Sequence, residues 1–312
     1  MPAHSPRFPA RPASAILTPM TKDQWNAFTS FRDDFRAKCA EWARDAGALP
    51  GHAATESAAG DAAATGWLAE LQKGAAEADR NPAYPLETPV VYNQALDSIA
   101  ETDDIRLLVI GDNPGKDEQL LKNRRYLVGQ AGKLGAGFFR ANPELGVDFR
   151  KNAVILNKTP IHTAKTKQLA WIRRNGGKDF ENLFAASQRW MAERTLRLAR
   201  DLSCEIWLVG YGELREKGLF AEYAAALKSA AFAAGENAGA PAGRAAAPDS
   251  PGGREPESAR DAPAIFPKIL LFQHFSMNRF SIDLKERYNP ADSLRVNLDR
   301  IGLFHRREIL GW

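Results

Sequence analysis

Cysteine is nearly absent from this chain: Cys39 and Cys204 are the only two in 312 residues, far apart and in no CxxC arrangement. That excludes a four-thiolate iron–sulfur cluster or structural zinc site, and a disulfide framework is not expected. Long apolar runs are missing as well. Leu107-Leu108-Val109-Ile110 is typical of those present, far short of the ~20 residues that span a bilayer. The first twenty residues mix Pro, Ala and Arg without an apolar h-region, so no secretory signal is expected there. No strong charge imbalance exists either: 42 Lys and Arg against 38 Asp and Glu leave +4. That excess permits a polyanionic partner without demanding one, so the distribution of charge matters more than its sum. What is there is globular in composition, 44% hydrophobic, 26% charged and 9% aromatic. A soluble, cytoplasmic, intracellular protein without metal or cofactor is the expectation.

Residues 1–20 carry Arg7 and Arg11 but no acid, and read as a flexible basic arm. Thr21-Lys22-Asp23-Gln24 fits a capping box. Trp25, Phe28, Phe31, Phe35, Cys39 and Trp42 then recur at three- and four-residue spacings, the apolar face of an amphipathic helix that packs into the core. A Gly/Ala-rich connection over 47–64 leads to a second helix near 65–79, stopped by Asn81-Pro82. From Gly235 to Pro263 the chain is dominated by Ala, Gly, Pro and Ser. It reads as a disordered loop insertion, because it has too little apolar surface to offset the entropy of ordering. Residues 21–312 are otherwise expected to form one domain, with 21–80 as its helical extension.

Four short apolar runs stand out, Ile105–Ile110, Ala153–Leu156, Glu205–Val209 and Ile265–Phe272, separated by helix-compatible segments. Parallel sheets bury both faces of their strands, which then appear as continuous apolar runs. The alternation predicts an α/β fold, a three-layer α/β/α sandwich around a mostly parallel four-stranded sheet. All four runs end in polar or glycine-rich punctuation: Gly111-Asp112-Asn113-Pro114-Gly115, Asn157-Lys158-Thr159-Pro160, Gly210-Tyr211-Gly212 and Gln273-His274-Phe275-Ser276. Ligands in open α/β sheets bind outside the carboxyl ends of the strands, so these ends outline one composite site.

The Gly111–Gly115 segment is a tight turn on any account, since Pro fixes φ and Gly admits positive φ. After a buried strand it would also present Asn113 at the sheet edge. Tyr126–Leu134 looks like a phosphate loop but fails the Walker pattern, with Leu127 where the first Gly is needed and Leu134 after Lys133 in place of Ser or Thr. Asn157 either caps the turn after its strand or reads a base edge, since an amide offers donors and an acceptor together. From Lys151 to Lys178 the chain has Lys158, Lys165, Lys167 and other cations but no acid. Such a run is a solvated face, or it contacts a phosphate backbone. His162 reads as structural. His274 shares the strand-end locus with Asn113 and Asn157, and Ser276-Met277-Asn278-Arg279 after it mixes apolar and cationic side chains, as a loop entering a nucleic-acid groove would.

Together these residues resemble the uracil-DNA glycosylase superfamily. Its signature is a Gly-x-Asn/Asp/Glu-Pro turn after the first strand, an Asn closing the second and a His-x-Ser loop after the last. Gly111–Gly115 looks most like the first motif of the mismatch-specific and single-strand-selective monofunctional branches. Arg125–Leu134 resembles the Arg-Pro-Phe-Val-Gly-Arg-x-Gly-x-Leu stretch of the thermophilic iron–sulfur branch, whose cluster cysteines are absent here. The likeness spans about residues 100–290 and includes Trp207–Gly212. Asp112 puts a carboxylate beside the water-holding position. Leu127 stands where an aromatic ring would stack on the base, with Tyr126 or Phe138 as substitutes, and Phe275 replaces the usual Pro after the histidine.

The resemblance implies a monofunctional hydrolase that removes uracil or a related deaminated base from damaged or mismatched DNA, single- or double-stranded, in base excision repair. His274 would stabilise the departing base as a neutral imidazole, Asn113 or Asp112 would handle the water, and Asn157 would read the base edge. Gly111, Gly115, Leu127 and Tyr126 would shape the pocket. Lys158, Lys165 and Lys167, with the Ser276–Arg279 loop, would contact DNA. A nucleoid-associated monomer is implied, with no membrane, metal cluster or cofactor. Two alternatives remain: a weak or inactive relative that only binds damaged or single-stranded DNA, and a hydrolase of free nucleosides.

Overall fold

The capping box expected at Thr21 is in place: the Thr21 hydroxyl accepts from the Gln24 N–H at 3.2 Å, and the Thr21 N–H donates to Gln24 Oε1 at 2.9 Å. It opens α1 (Lys22–Asp45), whose Phe28, Phe31, Phe35, Cys39 and Trp42 are buried while Trp25 is half-buried. The computed structural model describes residues 18–47, 65–239 and 267–312. The arm expected over 1–20 lies outside them as far as residue 17. Its last residues are tethered, with the Thr18 N–H donating to Asp104 Oδ2 at 3.2 Å and Met20 buried. The second expected helix is α2 (Trp67–Ala78), which ends ahead of Asn81-Pro82. Most of the 47–64 connection lies outside the described residues.

The apolar runs form β1 (Leu107–Gly111), β2 (Ala153–Asn157), β3 (Glu205–Val209) and β4 (Ile269–Phe272). They make one sheet in the order β2-β1-β3-β4, every pair parallel. All their residues are buried except Glu205, which is half-buried at the start of β3. Burial on both faces is what makes the runs continuous. The last strand starts at Ile269, and Ile265 and Phe266 lie outside the described residues.

Register and alternation place Val109, Ile155, Trp207 and Leu270 on one face of the sheet. That face is covered by α3 (Gln130–Ala141), α7 (Arg279–Arg287) and α8 (Leu294–Leu310). Trp207 packs on Phe138 and Phe139 of α3 and on Phe280 of α7. Gly302 lets α8 approach β4, since a Cβ there would stand 2.6 Å from Leu270 Cβ. The other face carries α5 (Gly177–Asp201), which packs on α1, on α4 (Gln168–Asn175) and on α6 (Ala221–Gly239), while α2 packs on α4. The result is the expected three-layer α/β/α sandwich. One boundary differs. The Ala-rich segment just ahead of the 235–263 stretch, from Ala230 to Ala234, favours helix, and α6 runs on past it to Gly239. The rest of that stretch lies outside the described residues. No helix among the described residues is long and apolar enough to cross a membrane.

Candidate functional site at the carboxyl ends of the strands

Because every strand pair is parallel, the loops that follow β1, β2, β3 and β4 all leave the sheet at the same edge. Gly111 and Asn157 are register partners at the ends of β1 and β2. Asn157 is 1% exposed, and its Nδ2 has no hydrogen-bond partner among the described residues. A buried amide hydrogen without an acceptor is costly, which sets Asn157 apart from the fully bonded Asn113 at the same sheet edge. Gly111 makes room for it: a Cβ at that position would lie 2.5 Å from Asn157 Oδ1.

Asn113 is held by the loop after β2. Its Nδ2 donates to Thr163 Oγ1 at 2.8 Å and to the Ile161 carbonyl at 3.3 Å, and its Oδ1 accepts from the Thr166 hydroxyl at 3.0 Å. The next carbonyl, of Pro114, accepts from the Thr163 N–H at 3.2 Å and from His162 Nδ1 at 2.9 Å. A carbonyl only accepts, so Nδ1 carries the imidazole proton and Nε2 accepts from the Tyr84 hydroxyl at 3.0 Å. Full burial pulls His162 down to about 4, against the weaker pull of the Pro114 and Gly115 backbone. His162 is thus a neutral brace under the Asn113-Pro114 turn, the structural role expected of it.

Asp112 leans toward β3. Its Oδ1 accepts from Lys158 Nζ at 2.6 Å. A Cβ on Gly210 would stand 2.7 Å from the same oxygen, and Gly210 has φ +84°. Lys158 therefore does not serve as a phosphate contact. Its side chain is 0% exposed and its ammonium is enclosed by Asp112 and strand-end carbonyls. The reason is alternation: Asn157 and Lys158 turn to opposite faces, and Lys158 lies beneath Phe220 near α6.

His274 follows β4. Its Nδ1 accepts from the Ser276 N–H at 3.1 Å, with Ser276 Oγ 2.7 Å away. Burial lowers its affinity for a proton, with Asp112 raising it and Lys158 lowering it more weakly. At neutral pH the imidazole is uncharged and its hydrogen sits on Nε2. Met277 and Asn278, both with positive φ, and Arg279 are exposed beyond it, Met277 at 79%.

Two expected pocket residues are elsewhere. Tyr126 is fully buried with its hydroxyl donating to the Val91 carbonyl at 2.5 Å, and Leu127 is 4% exposed at φ +53°. Both belong to the core under the loop, so neither offers a face for stacking. Phe138 packs on Phe280. Lys165 and Lys167 are exposed and ion-paired with Asp79, Lys165 at 2.9 Å. One residue went unnoticed in the sequence. Glu118 is 8% exposed, its Oε1 lies 3.9 Å from where a Gly115 Cβ would be, and burial raises its carboxyl to about 7 against the opposing pull of the Gly115 and Leu127 backbone. Set among Lys116, Asp117 and Gln119, it had no signal to separate it from a surface acid.

Among the described residues no group of three or more His, Cys, Asp or Glu side chains is placed to hold a metal ion. No protein family, curated protein or solved structure matches the chain.

Proposed function

We propose that this protein is a monofunctional DNA N-glycosylase that hydrolyses the bond between deoxyribose and uracil, or a related deaminated or modified base, in base excision repair. What carries the proposal is Asn157, a buried amide with an unpartnered Nδ2, on the same sheet edge as a neutral His274 whose Nε2–H is left for a ligand. Uracil offers the complement, with a carbonyl beside an N–H for the amide and a second carbonyl for the imidazole. Cytosine reverses donor and acceptor, which would leave buried polar groups unpaired.

Breaking the glycosidic bond builds positive charge on the sugar and negative charge on the departing base. His274 stabilises the anion with a preoriented donor, which acts where charge develops. The water that meets an oxocarbenium-like sugar needs placement more than deprotonation, a task for Asn113 or Asp112 in the turn after β1. The base must leave the stack to enter, and exposed Met277 with Arg279 would fill the gap in the duplex. Gly115 presents no side chain, so a 5-substituted uracil is accommodated. Competition assays with thymine and 5-substituted bases measure this, and strict selectivity for uracil would contradict it.

The direct test is incision of oligonucleotides carrying uracil, hypoxanthine, xanthine or thymine opposite guanine, followed by hot alkali. Strand breaks at one of these bases are expected. A second reading is favoured by the burial of Tyr126 and the aliphatic Leu127, which remove the rings expected to stack on a flipped base. On that reading the protein binds damaged or single-stranded DNA without cleaving it, and gel shifts without abasic sites would establish it.

A further inference from the structure

Lys158 carries a charge into a place water does not reach, and the chemistry above gives it no task. Its Nζ lies 2.6 Å from Asp112 Oδ1, 2.9 Å from the Val209 carbonyl, and 3.3 Å from each of the Gly111 and Gly210 carbonyls. The Phe220 ring is 5.3 Å away. A buried ammonium is tolerated only where it is paired and hydrogen-bonded. Here the shortest contact is the carboxylate, and the carbonyls fix the direction from which the ammonium reaches it.

Asp112 is gripped from two sides. Lys158 takes Oδ1, and Gly210, bare of side chain, lets the carboxylate settle against β3. Oδ2 accepts no hydrogen bond from the described residues, and the side chain keeps 16% exposure. Asn113 is the opposite case. Its Nδ2 donates to Thr163 and Ile161, and its Oδ1 already accepts from Thr166. Of the two neighbours, the carboxylate has the uncommitted oxygen.

We infer that Lys158 is a positioning residue: it fixes the Asp112 carboxylate at the end of β1 so that Asp112, rather than Asn113, orients the attacking water. The inference rests on the glycosylase proposal. In the step it serves, the water oxygen bonds to C1′ of the sugar while the C1′–N bond breaks. The bonding pair leaves with the base as an anion hydrogen-bonded to His274 Nε2–H, and the water's proton passes to Asp112. Asp112 and Lys158 also pull the protonation of His274 in opposite directions, as two charges near one imidazole must.

The experiment is a double-mutant cycle on the full chain with Asp112→Asn, Lys158→Met and the two combined. It reads single-turnover base release from a uracil oligonucleotide, oligonucleotide affinity, and the His274 titration midpoint by NMR. Each single variant should slow release by about 100-fold or more, the scale of losing a positioned acid–base group. Affinity should be unchanged, and the combined variant should be no slower than Asp112→Asn alone. The His274 midpoint should fall in Asp112→Asn and rise in Lys158→Met. Asp112→Asn strands the buried Lys158 ammonium, whereas the combined variant leaves no unpaired buried charge. Its rate against the wild type therefore decides the matter even where a single variant does not fold: a loss of about 100-fold supports the inference and a wild-type rate overturns it. Wild-type protein that releases no base would overturn the glycosylase proposal and this inference with it. An active wild type with Asp112→Asn at full rate, or with the combined variant more than about tenfold slower than Asp112→Asn, would overturn the inference alone.

Discussion

The backbone N–H of Ser276 points at Nδ1 of His274 from 3.1 Å, and the Ser276 hydroxyl stands 2.7 Å from the same nitrogen. An N–H can only donate, so Nδ1 is an acceptor and the neutral ring holds its hydrogen on Nε2. Two residues thus set the tautomer that a departing base anion requires. His274→Ala should lower turnover by orders of magnitude while leaving DNA affinity in place. Ser276→Ala keeps the backbone donor and loses a single hydroxyl, worth about 1 kcal/mol, so about a five- to tenfold loss is expected. With the His274 proton affinity lowered by burial, the rate should stay level through neutral pH and fall only below the ordinary histidine range. A rate that falls already above pH 7 would contradict the neutral-donor role.

Asn157 separates a structural amide from a reading one. Its Nδ2 has no partner among the described residues, so Asn157→Ala should fold normally and melt close to wild type. Uracil release should drop by about 100-fold or more, in line with losing a buried donor–acceptor match. Gly111→Ala should act on the same group from behind, because its Cβ would meet Asn157 Oδ1 at 2.5 Å. Were Asn157 only a turn cap, Asn157→Ala would lower the melting temperature and leave base preference alone.

The strand ends were legible in the sequence because parallel strands buried on both faces leave uninterrupted apolar runs, and Gly111, Asn157, Val209 and Phe272 mark where each stops. Their convergence followed from topology alone. What the charge pattern assigned wrongly was Lys158: a lysine in an acid-free basic run looks solvated, and only the three-dimensional approach of Asp112 and the Val209 carbonyl makes a buried seat for it. Tyr126 misled as well. The resemblance offered it as a substitute for the stacking ring that Leu127 replaces, yet its hydroxyl finds the Val91 carbonyl and the ring completes the core. Glu118 carried no local cue, because its burial arises from the fold of the loop around it.

Lys165 and Lys167 both reach Asp79, at the end of α2. Exposed pairs of this kind are weak, and a phosphate competes readily for the ammonium groups. Asp79→Asn should therefore tighten oligonucleotide binding at low salt. Lys165→Ala and Lys167→Ala should each reduce the slope of log affinity against log salt by about one, without altering base preference. Fluorescence anisotropy across a salt series measures this, and unchanged slopes in both variants would remove these lysines from the DNA interface.

Glu118 and His162 make opposite contributions to stability across one pH interval. The Glu118 carboxyl has its ordinary 4.5 raised to about 7 by burial, so its contribution is full below 4.5 and lost as pH climbs to 7. His162 has its ordinary 6.5 lowered to about 4, also by burial, so its contribution is full above 6.5 and lost as pH falls toward 4. Each displacement corresponds to about 3 kcal/mol over its whole range. Between pH 4.5 and 6.5 the two slopes run against each other, and the melting temperature of the wild type should carry little dependence from this pair. Glu118→Gln removes the falling branch, so the variant should gain stability steadily from pH 4.5 to 6.5. His162→Gln removes the rising branch, so that variant should lose stability over the same interval. Thermal melts at half-unit pH steps follow both. Parallel curves for wild type and Glu118→Gln would mean that the carboxyl beside Gly115 is ionised in water and not held in the wall of the site.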